Sequence, residues 1–118
     1  MNPAQEQTVK LKVFVVDDEA RISSILKRII EKMGCEVKCI EDGSQVGNAL
    51  IAYEPDVIFL DLAMPGIDGV EVISGLGQAG CKSKIVLMSG IDKRTLSSVS
   101  EGARQNQLDV IDTITKPF

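Results

Sequence analysis

Residues 56–69 read Asp-Val-Ile-Phe-Leu-Asp-Leu-Ala-Met-Pro-Gly-Ile-Asp-Gly. Four apolar residues, Val57 to Leu60, run unbroken into one carboxylate, Asp61, and Pro65, Gly66 and Gly69 then force the chain to turn. A strand buried on both faces reads as such a continuous run, whereas a strand with one wet face alternates. In open parallel sheets, ligands and reacting groups gather beyond the carboxyl ends of the strands. The stretch therefore predicts a buried strand that delivers Asp61 to an exposed rim.

Similar runs flank it on both sides. Val13 to Val16 ends at Asp17 and Asp18; Val37 to Ile40 is short and alternating; Ile85 to Met88 ends at Ser89-Gly90; Val110 and Ile111 with Ile114 lead to Lys116-Pro117-Phe118. Between the runs the period changes to three and four. Ile22, Ile25, Leu26, Ile29, Ile30 and Met33 make one apolar helix face, which Gly34 stops. Asp42-Gly43-Ser44 supplies a turn and cap for a second helix carrying Val46, Ala49 and Leu50, closed by Pro55. A third helix runs from about Gly69 through Val70, Ile73 and Leu76. A fourth, capped by Asp92, carries Leu96, Val99 and Ala103, but Gly102 and several serines give it poor propensity, so packing must stabilise it.

Five strands alternating with four helices through short connections predict a parallel α/β sheet with helices on both faces. A fifth helix normally follows the fifth strand in this arrangement, and the chain stops first. The end reads as a domain cut just past that strand, with an uncovered sheet patch as the alternative.

The 118 residues, 44% hydrophobic and 25% charged, fit one ordinary domain. Residues 1–10 are polar and aperiodic and read as a flexible tail, leaving 11–118 as the domain. No run approaches the roughly 18 apolar residues of a membrane span, and the opening lacks a signal peptide's apolar segment, so a cytoplasmic protein is expected, with no membrane contact. A net charge of −4 with unclustered basic residues argues against direct nucleic-acid binding. There is no histidine, so a metal site must be built from oxygen. Cys35, Cys39 and Cys81 read as reduced core residues; two cysteines four apart on one strand would lie about 13 Å apart, beyond disulfide reach.

Parallel strands end on one side, so Asp17, Asp18, Asp61, Ser89 and Lys116 are expected at a common rim. Each has a plain explanation alone: acidic turn residues, a Ser-Gly turn, a surface lysine. Together they are a carboxylate cluster, a hydroxyl and an ammonium at four strand ends. Carboxylates about 4 Å apart repel by roughly 4 kcal/mol per pair at an effective dielectric near 20. A divalent cation and a lysine can offset that cost, and an all-oxygen set favours a hard ion, Mg²⁺ best.

Val-Val-Asp-Asp-Glu (15–19), Leu-Asp-Leu-Ala-Met-Pro-Gly-Ile-Asp-Gly (60–69), Met-Ser-Gly (88–90) and Lys-Pro-Phe (116–118) resemble the receiver (CheY-like) domain of two-component response regulators. The resemblance runs from about Lys12 to the last residue. It implies a flavodoxin-like, doubly wound, five-stranded parallel sheet of order 2-1-3-4-5, with the last helix absent from this chain. It implies further that Asp61 accepts a phosphoryl group from a sensor histidine kinase or phosphotransfer protein. Asp18 is then a direct Mg²⁺ ligand, Asp17 its partner acting mainly through water, and Ala63 the source of a backbone-carbonyl ligand. Ser89 supplies a hydroxyl toward the phosphoryl group, Lys116 binds its oxygen, and Pro117 looks like the family's cis-proline. Such a domain catalyses only its own phosphorylation and dephosphorylation, is not otherwise an enzyme, and switches a C-terminal output domain, with dimerisation left open. Asp68 reads as a helix cap.

Three features depart from the family pattern. An aromatic residue usually stands three positions before the lysine, and here Thr113 does; the signal is therefore expected to leave through the fourth helix. The segment from Ser89 to Lys116 is about one helical turn longer than usual, and residues 103–110 are similar to receivers ahead of EAL-type phosphodiesterase domains. Ala63 and Ile91 flank the place of the attacking water and cannot hydrogen-bond it, so a long-lived phosphorylated state is expected. Two alternatives stand beside the switch: a receiver-like interaction module that does not switch, and an aspartyl-phosphate phosphohydrolase. The latter usually carries a second aspartate where this chain has Ala63. A flavodoxin-like cofactor binder fits less well, because no phosphate-binding loop follows the first strand.

Overall fold

The computed structural model describes residues 10–42, 45–62, 69–90 and 93–116. Five strands, β1 (Lys12–Val16), β2 (Glu36–Ile40), β3 (Val57–Asp61), β4 (Lys84–Ser89) and β5 (Asp109–Thr115), form one sheet of order β2-β1-β3-β4-β5. Every pairing is parallel. Four helices alternate with them: α1 (Ala20–Lys32), α2 (Val46–Tyr53), α3 (Gly69–Gln78) and α4 (Lys93–Gln105). This is the doubly wound, flavodoxin-like architecture expected from the sequence, and β5 is its last described element.

The continuous apolar runs are buried on both faces because alternate side chains enter different cores. Phe14, Val16, Ile58, Leu60, Ile85 and Leu87 point to one face, where they meet Ile73 and Leu76 of α3, Ala103 of α4 and, at the margin, Ala49 and Tyr53 of α2. Val13, Val15 and Met88 point to the other, against Leu26 and Ile30 of α1. Phe14 stacks on Tyr53 with ring centroids 4.9 Å apart. Cys35 and Cys39 pack at the margin of the second core and Cys81 at the first, and all three are free thiols.

The helix face read from Ile22 to Met33 is corrected in part. Leu26, Ile30 and Ser23 are buried, but Ile25 is 39%, Ile29 52% and Met33 74% exposed. At 100° per residue, Ile22, Leu26 and Ile30 form one row and Ile25, Ile29 and Met33 a second row rotated away from it. Among the described residues α1 is the only helix on its face of the sheet, so nothing lies beside it to cover the second row. The stop at Gly34 is as expected. Its φ of +89° closes a Schellman turn, with Cys35 N–H donating to Ile30 O and Gly34 N–H to Glu31 O.

β5 is an edge strand in which only Val110 and Ile114 are half-buried. Its pairing with β4 slips after Ile85↔Val110, so that Asp112 rather than Ile111 faces Val86, and Ile111 is left exposed. The sheet continues past its strands toward one rim. Asp17 N–H donates to Ile40 O at 3.1 Å, Leu62 N–H to Met88 O at 2.9 Å and Lys116 N–H to Ser89 O at 2.9 Å. No described helix is long and apolar enough to cross a membrane.

Candidate phosphoacceptor site

The parallel strands deliver Asp17 after β1, Asp61 at the end of β3, Ser89 at the end of β4 and Lys116 after β5. Asp17 and Ser89 are fully buried and Asp61 nearly so. Lys116 reaches over the rim with its stem covered and its ammonium inside the acids. Its Nζ lies 2.7 Å from Asp17 Oδ2, 3.2 Å from Asp61 Oδ2 and 3.3 Å from Glu19 Oε1.

Carboxylate oxygens of Asp17, Glu19 and Asp61 fall within 4.8 Å of one another. The resemblance implies Asp18 as a metal ligand at this rim and does not include Glu19. In the structure Asp18 is exposed and stands outside the group, while Glu19 stands within it. The turn explains the exchange. Glu19 N–H donates to Asp17 Oδ1 at 2.9 Å, closing an Asx turn that brings the longer Glu19 side chain back over the rim. A third acid directly after Asp17-Asp18 was the signal available in the sequence, but its direction depends on turn geometry that no periodicity encodes.

Burial works against a charged Lys116, yet the Asp17 and Asp61 carboxylates outweigh it and hold the lysine pKa above its ordinary value. One ammonium cannot neutralise three carboxylates. Asp17 Oδ2 is buried, and among the described residues its one partner is the Lys116 ammonium at 2.7 Å, which leaves it spare acceptor capacity. An all-oxygen set with a buried, under-satisfied carboxylate oxygen suits a hard divalent cation.

Thr113 is exposed on β5, so the position has neither an aromatic ring nor a buried side chain. The expectations at Ala63, Asp68, Ile91 and Pro117, the caps at residues 43–44 and 92, and all of the tail except Lys10 lie outside the described residues.

A family model for the response regulator receiver domain matches residues 13–118. A response regulator from Colwellia psychrerythraea is 34% identical, with a TM-score of 0.77, 93% of this chain and 87% of that chain being covered. A receiver domain from Bermanella marisrubri is 28% identical (TM-score 0.76; 93% and 88% covered). Response regulator TrrA from Thermotoga maritima, solved in complex with Mg²⁺ and BeF, is 26% identical (TM-score 0.75; 92% and 88% covered). With its strand order, its rim of acids and lysine, and a family match over nearly its whole length, the chain belongs to the response regulator receiver domain family.

Proposed function

We propose that this chain is a Mg²⁺-dependent phosphoacceptor module of two-component signalling, phosphorylated on Asp61 by a histidine kinase or phosphotransfer protein. The observation that carries the reading is the Lys116 ammonium held among Asp17, Glu19 and Asp61 at the ends of parallel strands. Asp61 is the nucleophile: a carboxylate oxygen forms the new bond to phosphorus as the bond to the donor nitrogen or oxygen breaks, and the donor leaves with that electron pair. Lys116 is placed to follow the charge that moves onto the phosphoryl oxygens, and Ser89 to donate its hydroxyl to one of them.

When bound, Mg²⁺ supplies charge neutralisation and in-line positioning. Asp17 and Asp61 would hold it with the Ala63 carbonyl and Asp18. Asp18, exposed in this structure, would turn inward to do so, while Glu19 holds the Lys116 ammonium at 3.3 Å. The domain modifies only itself and is not otherwise an enzyme, and its place is the cytoplasm. Its readers are the upstream kinase and an output domain. None of the three structures named above is described as joined to an EAL-type domain, so the output domain is proposed without a class.

Beryllium fluoride, a phosphoryl mimic, tests the reading. In Mg²⁺ it should shift the amide resonances of Asp61, Ser89 and Lys116, with no shift when EDTA is present or in Asp61→Asn. Shifts that persist in Asp61→Asn would reject Asp61 as the acceptor.

A further inference from the structure

Ser23 is a polar residue in the middle of an apolar contact. It lies 3% exposed on the sheet-facing side of α1, beside Leu26 and Ile30, where helical periodicity would place a hydrocarbon. A buried hydroxyl costs free energy unless it finds a partner. The partner here is outside the helix: Ser23 Oγ donates to the main-chain carbonyl of Asp17 at 3.3 Å. The N–H of Asp17 is engaged as well, donating to Ile40 O at 3.1 Å. Both main-chain polar atoms of the first acid are thus fixed, one at the end of β2 and the other by α1.

The same serine also reaches the rest of the acidic turn. Ser23 N–H donates to Glu19 O at 3.0 Å, and Glu19 N–H donates to Asp17 Oδ1 at 2.9 Å. Cys39 Sγ on β2 lies 3.9 Å from Ser23 O and backs the serine from the sheet side.

The cluster needs such a restraint because its carboxylates repel one another. Asp61 is fixed by its strand, which pairs with β1 and β4. Asp17, Asp18 and Glu19 sit where the chain leaves β1, and the easiest relief of repulsion is rotation of that turn outward about the Asp17 main chain. The bond from Ser23 Oγ opposes this rotation. We propose that Ser23 is a positioning residue of the cation cluster: its hydroxyl fixes the direction in which the chain leaves β1 and so holds Asp17 and Glu19 against Asp61. The inference rests on the reading above that the cluster takes a divalent cation.

Mn²⁺ binding, followed by calorimetry on the 118-residue chain, tests it with three variants. Ser23→Ala should bind Mn²⁺ about five-fold more weakly, the factor that one ordinary hydrogen bond represents. Ser23→Thr, which keeps a hydroxyl, should restore the wild-type affinity. Ser83→Ala is the control, because buried Ser83 likewise donates to a carbonyl, Pro55 O at 2.6 Å, just before β4 at the opposite end of the sheet. It should lower stability and leave Mn²⁺ affinity unchanged.

Wild-type affinity in Ser23→Ala, failure of Ser23→Thr to restore it, or equal weakening in Ser83→Ala would each overturn the positioning role alone. If the wild-type chain binds no Mn²⁺, the cation reading falls and this inference falls with it.

Discussion

Lys116 carries the largest electrostatic burden of any residue described, and its removal should show this. With its side chain 10% exposed and three carboxylates around its ammonium, Lys116→Met leaves buried acids without their counter-ion. A loss of about 3 kcal/mol is expected in urea denaturation with EDTA present. The sign of the pH dependence follows from the raised pKa. The lysine's contribution is complete below its ordinary value of 10.5 and is lost as pH rises through the higher folded value. The difference between wild type and variant should therefore hold steady from about pH 7 to about pH 9 and close only in stronger alkali. A difference that closes near neutrality would contradict the contacts. The two loop acids divide by a second measurement: Asp18→Asn should weaken Mn²⁺ binding more than Glu19→Gln, and the reverse order would make Glu19 the third metal ligand. Asp17, Asp61, Ser89 and Lys116 were legible as strand-end residues because a parallel sheet fixes where strands end. Glu19 and Ser23 were not, since one depends on the shape of a turn and the other on a hydroxyl reaching outside its own helix.

At the scale of elements, α3 and α4 meet through a missing side chain. A Cβ on Gly77 would stand 2.8 Å from Asn106 Cβ, whereas one on Gly75 would meet nothing within 4 Å. Gly77→Ala should thus destabilise by about 1–3 kcal/mol through overpacking. Gly75→Ala should stabilise by a few tenths to about 1 kcal/mol through helix propensity. Chemical denaturation of the two variants reads both signs. α4 also carries the buried Ser100, whose Oγ has no hydrogen-bond partner among the described residues, and it joins β5 through Gln107 at a φ of +63°. These are costs built into one helix, and they agree with its poor propensity. An element carrying such costs is expected to move more readily than a fully satisfied one. Hydrogen exchange between Gly90 and Gln107 should therefore change when beryllium fluoride binds, and identical protection would remove α4 from the signalling route. The helix stop at Gly34 could be read from the sequence because it follows from local pattern, whereas the strand order was implied only by the resemblance to the receiver family. The exposure of Ile25, Ile29 and Met33 could not be read, because burial of a second helical row depends on a neighbour. The slip beside Ile111 likewise depends on pairing with β4.

For the whole molecule, the parallel sheet separates packing from chemistry. One end is tied by apolar and main-chain contacts: Phe14 stacks on Tyr53, Asp56 N–H donates to Lys12 O at 2.7 Å, and Ser83 holds Pro55. The other end gathers charges that would repel without their lysine, a cost that the two apolar cores offset. On the proposed reading this charged rim makes Asp61 the phosphoryl acceptor and requires a divalent cation. Incubation with acetyl phosphate and Mg²⁺, followed by intact-mass measurement, tests it most directly. A single phosphate adduct is expected in the wild-type chain, and none with EDTA or in Asp61→Asn. An adduct of equal yield in folded Asp61→Asn, or no adduct in a folded wild-type chain that binds Mg²⁺, would contradict it.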